Sequence, residues 1–432
     1  MKVLRSCGLV VGAVLCPVIL SPVLLDGADW TRFRGPRGSA ISSARDLPAD
    51  WNSADKIQWK TPLPGPGTSS PVTFGNRVFL TCYTGYGLDR SEPGNPDDLL
   101  RHVLCLDRRN GKVLWDKTVT LQRREDPYRG HLADHGYASS TPVTDGRNVY
   151  VFFGKNGVLA FDNAGKQLWR TDVGSGSAIA GWGSGSSPIL YKNLVIVNAN
   201  AESEALIALD KQTGKEVWRA PSSGVRGSWS TPILVDLPGG KQDLVVSVPD
   251  EIWGLNPANG KLRWYAEALP GGALCTSLVA DRGVVYAVAG RRNASAAVRA
   301  GGKGDVTKSH VLWTGRLGSY VTSPVVSDGH LYWVSDRGIA CCVKADTGDV
   351  VYRERLRGRR FYASVVLADG KLFAVSRTNG TFVLKAGPKF KLLAHNRFAD
   401  DDSVFNAGPA ISGGKILIRS DRYLYCIGNP HK

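Results

Sequence analysis

The stretch ALIALDKQTGKEVW, Ala205 to Trp218, decides the fold. Ala205–Asp210 is an aliphatic strand that stops at an acidic residue. Asp210 can accept bonds from backbone N–H groups of the turn that follows, and Gly214 allows the positive φ that turn needs. The return strand ends on Trp218, large and flat with one N–H to satisfy, suited to docking between two packed units. Relatives of the stretch are HVLCLDRRNGKVLW ending at Trp115, GVLAFDNAGKQLW at Trp169 and IWGLNPANGKLRW at Trp264. Weaker copies are GIACCVKADTGDVVY ending at Tyr352 and TFVLKAGPKFKLL at Leu393.

A second signature lies upstream of these, a small polar pair followed by Pro or an aliphatic residue. It occurs at Ser69-Ser70-Pro71, Ser140-Thr141-Pro142, Ser186-Ser187-Pro188, Ser230-Thr231-Pro232, Thr276-Ser277-Leu278, Thr322-Ser323-Pro324, Ala363-Ser364-Val365 and Ala407-Gly408-Pro409. After the first, the copies recur every 41–46 residues. Between the signatures run β-branched and aromatic segments such as Leu194-Val195-Ile196-Val197. Each unit therefore holds four short strands: A at the polar pair, B at the aliphatic run, C before the acidic residue and D at the Trp. That is the period of a propeller blade. The eighth unit stops after strand C, at Tyr425-Cys426-Ile427, whereas Ile57-Gln58-Trp59-Lys60 precedes the first unit. The expected fold is all-β: an eight-bladed β-propeller of four-stranded antiparallel blades, its last blade closed by an N-terminal strand that hides both open edges. The division expected is a signal segment at 1–28, a lead-in at 29–56, the propeller at 57–428 and a tail at 429–432.

Composition agrees. With 43% hydrophobic residues the chain can bury a core, and Gly 50 with Pro 23 favour turns over long helices. Lys2 and Arg5 precede an uncharged run from Gly8 to Leu25, and Gly27 and Ala28 follow, the pattern of an export signal. The run also just reaches spanning length, so cleaved signal and retained anchor stay open, although Pro17 and Pro22 would kink a membrane helix. Leu15 ahead of Cys16 argues against lipidation. The expected location is the periplasm or cell envelope, with the membrane reached only through an uncleaved N-terminus or a partner. A net charge of +16 can favour anionic surfaces, but no run of five basic residues concentrates it. Export also leaves nucleic acid out as a partner.

These motifs resemble the PQQ-like (quinoprotein-type) β-propeller repeat family over about residues 57–428. Trp30-Thr31-Arg32-Phe33-Arg34-Gly35-Pro36 and the end at Ser420–Cys426 are similar to a BamB-like exported bacterial subgroup. The family contains both quinone-dependent alcohol dehydrogenases and the scaffold BamB, so the fold alone does not decide the activity. The enzymes imply a Glu and an Asn on calcium, an Asp base, a stacked Trp and two adjacent cysteines. Cys341-Cys342 is the tempting match. However, Cys342 falls in the slot that Cys105, Ala160, Ala208, Gly254 and Cys426 fill in other blades, which reads as tight packing. Cys82 and Cys105 are open to pairing in one hairpin. Glu202 or Glu204 with Asn198 or Asn200 could imitate a calcium pair, though solvated loop polarity accounts for them as well. His131, Asp134 and His135 lie in the insert Thr118–Tyr137, where a plain loop is the expectation over zinc.

No catalytic residue, cofactor or metal is therefore expected, with PQQ and calcium belonging to the alternative of an alcohol dehydrogenase-like oxidoreductase. The B–C and D–A loops share one rim. It gathers Trp182, Arg226, Trp229, Arg291, Tyr320, Arg337, Tyr362, Arg377 and Arg422 as binding-face candidates, since arginine and aromatics compose binding hot spots. The expectation is a non-catalytic platform of BamB type that binds a protein or peptide partner in the envelope. A second alternative is a carbohydrate-binding propeller that takes an acidic polysaccharide.

Overall fold

A computed structural model describes residues 29–430 apart from Ser53, Arg291, Arg292 and Arg359. The export-signal reading at residues 1–28 and the candidate Arg291 lie outside the described residues. Eight sheets, each built on four antiparallel strands, form an eight-bladed propeller, and two of them gain a short parallel fifth strand, Ile41–Ser42 on one and Gly304–Asp305 on the other. Blade 3 shows the plan: strand A is Ile189–Tyr191, B Leu194–Ala199, C Ala205–Asp210 and D Glu216–Pro221. Blade 8 takes A, B and C from Ala410–Ser412, Lys415–Arg419 and Tyr423–Ile427, and its D strand is Ile57–Pro62. Trp59 stands opposite Cys426 and Lys60 opposite Tyr425, so the two ends of the chain close the ring. Among the described residues no helix is long and apolar enough to cross a membrane.

Each signature has a physical reason. Trp218 of blade 3 donates its indole N–H to the Pro257 carbonyl in the C–D turn of blade 4, at 3.1 Å. Trp59, Trp115, Trp169 and Trp313 do the same to Arg108, Asn163, Lys211 and Ala345 of their next blades, at 2.9–3.0 Å. The turn glycines Gly111, Gly165, Gly214, Gly260 and Gly348 lie directly beneath these indoles. A Cβ on any of them would fall 2.6–2.9 Å from the ring. The glycine thus meets two demands, a positive φ and a close aromatic lid. Within its own blade each Trp faces the small slot: Cys105 opposite Trp115, Ala160 opposite Trp169, Ala208 opposite Trp218, Gly254 opposite Trp264. Cys342 faces Tyr352 in the same register.

The polar pair builds a belt around the axis. Ser70 N–H donates to the Thr141 hydroxyl, Thr141 N–H to Ser187, Ser187 to Thr231, Thr231 to Ser277, Ser277 to Ser323 and Ser323 to Ser364, all at 2.9–3.0 Å. The innermost strands have no further strand to pair with, and these hydroxyls satisfy buried N–H groups that would otherwise be orphaned.

Three features add to the sequence reading. Blade 5 carries an insert between strands C and D, in which Gly304–Asp305 runs parallel to strand D of blade 4 at Trp264 and Tyr265. Cys82 and Cys105 do not pair: Cys82 faces His102 across the ladder and Cys105 faces Phe79, three positions apart, and both thiols are free. The lead-in packs into the ring. Trp30 and Thr73 exchange bonds of 2.8 Å, the Thr144 N–H donates to the Thr31 carbonyl, and the Leu367 N–H donates to the Ala40 carbonyl. Arg32 and Arg34 donate to the carbonyls of Pro232 and Pro324. The lead-in so lines the inner edges of blades 1, 2, 4, 6 and 7 and plugs the channel.

Candidate functional site

Above the plug the D–A and B–C loops enclose a cavity of about 150 Å³ on the axis. Phe33 of the plug forms part of its lining, with Trp182, Trp229, Tyr320, Tyr362 and His131 around it. The walls are held in place by specific contacts. Trp229 is buried and donates its indole N–H to the Gly183 carbonyl at 2.7 Å. The Trp182 and Trp229 rings lie 5.1 Å apart, and His131 meets Trp182 edge-on at 4.6 Å.

The insert of blade 1 reaches across the axis. It carries a single helical turn, Leu132–His135, where a plain loop was expected. Asp134 anchors the turn on the far side. Its carboxylate accepts from the Tyr362 hydroxyl at 3.2 Å, and its carbonyl accepts from Arg377 at 3.1 Å and Asn406 at 2.9 Å. Burial works to raise the Asp134 pKa, but the His131 hydrogen bond and the Arg377 charge hold it below the usual carboxylate value. His135 is enclosed, its Nε2 2.9 Å from the Trp182 carbonyl and its Nδ1 2.5 Å from the Ser139 hydroxyl. Burial lowers its pKa, which favours a neutral ring. The two imidazoles have separate partners, and among the described residues no three His, Cys, Asp or Glu side chains form a metal-binding group.

Of the nine binding-face candidates, Trp182, Trp229, Tyr320 and Tyr362 converge on the funnel. Arg377 is not part of an exposed face. It is 9% exposed, stacks its guanidinium 4.4 Å over Tyr362 and is committed to Asp134. Arg226 and Arg422 pair on the outer rim with Glu204 and Asp402. Arg337 lines a neighbouring groove with Arg316 and Arg353, which adjoins the funnel at Tyr320. Sequence reasoning missed His131, His135 and Phe33 as wall residues. The one available signal was the aromatic at the centre of Trp30–Pro36, a segment already set apart as a motif.

The calcium-pair expectation meets a mixed answer. Asn198, Asn200 and Glu202 are all buried, not solvated. The Asn198 Oδ1, both amide atoms of Asn200 and the Glu202 Oε2 have no hydrogen-bond partner. Carboxylate and amide oxygens are donors a hard cation takes. The rest of a quinone site does not fit. Cys341 and Cys342 pack in the cores flanking blade 6, and neither lines the funnel. The funnel itself is smaller than the roughly 300 Å³ at the lower end of ligand pockets, closer to one large side chain than to a tricyclic cofactor.

Residues 101–354 and 305–387 match the family described as outer membrane protein assembly factor BamB. The outer membrane protein assembly factor BamB of Alkalilimnicola ehrlichii is 29% identical over 205 residues, 45% of this chain and 49% of that protein. A tetrathionate hydrolase of Acidithiobacillus ferrooxidans is 24% identical over 263 residues, 51% of this chain and 50% of that protein. The chain thus spans about half the length of the curated relatives it matches. The crystal structure of BamB from Moraxella catarrhalis superposes with a TM-score of 0.59 at 12% identity, covering 86% of this chain and 98% of that one, a likeness of fold.

Proposed function

Because the chain belongs to the outer membrane protein assembly factor BamB family, with residues 101–354 matched, we propose that it is an exported, non-catalytic platform whose axial funnel captures a side chain of an extended polypeptide in the cell envelope. One observation carries the reading: four aromatic residues from four separate D–A loops converge on a pocket plugged by Phe33 and sized for one large side chain. Aromatic walls of this kind supply most of the energy of a peptide contact. The groove of Arg316, Arg337 and Arg353 beside Tyr320 favours acidic residues next to that anchor. Envelope assembly is the finer part of the proposal, and it rests on the family.

Titration with extended peptides that carry one aromatic residue and an acidic flank tests it, read by tryptophan fluorescence. Binding should be lost in Trp182→Ala and become weaker and less salt-dependent in Arg337→Ala. A basic-flanked peptide that binds as well would sink the acidic-flank preference, failure of both peptides to bind would sink the polypeptide reading, and binding of acidic glycans in their place would support the carbohydrate alternative. The PQQ- and calcium-dependent oxidoreductase has one observation in its favour, the Asn198–Asn200–Glu202 donor set. Adding PQQ and calcium should produce neither a quinone absorbance band nor dye reduction with an alcohol; either result would overturn the non-catalytic reading.

A further inference from the structure

Arg32 and Arg34 are the two buried guanidinium groups of the plug, 6% and 4% exposed. Each reaches one carbonyl on an inner strand, Arg32 on Pro232 of blade 4 and Arg34 on Pro324 of blade 6. The Nε of Arg32 and both Nε and Nη1 of Arg34 have no partner. Among the described residues no carboxylate lies within ion-pair distance of either group, although other interior arginines such as Arg101 have one, Glu125 at 2.7 Å. The two side chains also repel each other. Burial lowers both pKa values, to about 10 for Arg32 and about 9 for Arg34, and the charge of Arg32 adds to the shift at Arg34. Guanidinium does not give up its proton in a protein. A pair of like charges out of water with no counter-charge is among the costliest arrangements a fold can hold.

We infer that a small monovalent anion of halide type is bound in the plugged channel beneath Phe33, held by the unpartnered Nε–H and Nη–H donors of Arg32 and Arg34. Three observations converge on it: two cationic side chains more than nine-tenths buried, donors left over on both, and a fixed frame of inner-strand carbonyls that directs the two forks. Phe33, between them in sequence, lines the funnel, whereas neither arginine does. The stretch Pro36–Ser43 also borders a cleft at blades 4 and 5 lined by Asp29, Asp236 and Asp281 as well as by Arg37 and Arg282, the last paired with Asp281 at 3.1 Å. The inference does not depend on the proposed function.

The test uses the whole chain. Thermal unfolding is followed in sodium chloride, bromide and gluconate at equal ionic strength. Halide should stabilise in a saturable manner, lowering the unfolding equilibrium constant about 100-fold at 100 times the dissociation constant. Arg34→Met should lose that dependence and keep the general salt response. Should Arg34→Met fail to fold, crystals of the unaltered chain soaked in bromide decide: an anomalous peak between the two guanidinium groups is expected. Water alone at those nitrogens, or an Arg34→Met protein with an undiminished halide effect, overturns the site.

Discussion

Trp59→Ala tests the ring closure most directly. Trp59 is 8% exposed, as is Trp169, and the two make the same contacts. Each indole donates at 2.9–3.0 Å to a carbonyl of the next blade's C–D turn and lies over a turn glycine, Gly111 or Gly214. Replacing either indole by Ala should cost about 3–5 kcal/mol. The N–H bond accounts for roughly 0.5–1.5 kcal/mol of it, so Trp→Phe should recover most of the loss. The consequences differ in reach. Trp169 links neighbours in sequence, whereas Trp59 holds a strand that joins the chain's beginning to its end through five register pairs with Tyr423–Ile427. Losing it frees strand D of blade 8 and exposes an unpaired edge. Amide exchange at Tyr423–Ile427 should therefore speed up about 100-fold in Trp59→Ala, the equivalent of nearly 3 kcal/mol of local opening. In Trp169→Ala it should stay near the unaltered rate. Exchange at Tyr423–Ile427 within roughly threefold of normal in Trp59→Ala would refute the closure mechanism, since a latch whose loss opens nothing is not a latch.

Other expectations follow from the same geometry. Ser277→Ala leaves the buried Thr231 N–H without its 3.0 Å partner and should cost about 1–3 kcal/mol in denaturant unfolding. Gly260→Ala places a Cβ 2.6 Å from the Trp218 ring at a φ of 70°. It should cost more than about 1 kcal/mol, and a Trp218→Leu background should relieve part of it, as a double-mutant cycle would show. Burial raises Glu202 from 4.5 to about 7. Its folded form binds the proton more tightly than the unfolded chain, so its contribution to stability is full below pH 4.5 and lost as pH rises to 7. Glu202→Gln should flatten that part of the pH–stability curve, worth on the order of 3 kcal/mol at most. Calcium that flattened it equally in the unaltered protein would favour a cation at Asn198–Asn200–Glu202. Asp134→Asn should release the blade 1 insert, detected as proteolysis within residues 118–137 and weaker peptide binding.

The propeller was legible because its signatures are local and repeated. Each Trp with its Gly, and each Ser or Thr of the belt, answers a demand that recurs from blade to blade, so five indole links and six hydroxyl links reinforce one another. The funnel was half legible. Aromatics in D–A loops such as Trp182 and Tyr320 could be placed on a rim from strand order alone. Arg377 could not be separated from them, because its partner Asp134 lies 243 residues away in an irregular insert. His131 and His135 were read as loop residues for the same reason. Their place over the axis depends on where Asp134 docks, and no periodic pattern encodes that. Glu202 was misread as solvated, since its cover at Ser184 comes from the preceding D–A loop.

The plug connects these outcomes. An eight-bladed ring leaves inner strands whose polar groups face an open axis, and something must fill it. The belt of hydroxyls answers part of that demand, and Trp30–Ala40 answers more. The same stretch of chain then continues into the D strand of blade 8, so filling the channel and closing the ring are one covalent event. A blocked channel is also what makes the funnel blind, with Phe33 in its lining and aromatics around it. A ligand can thus be held on this face but not passed through. That favours capture of a side chain over transit of a substrate.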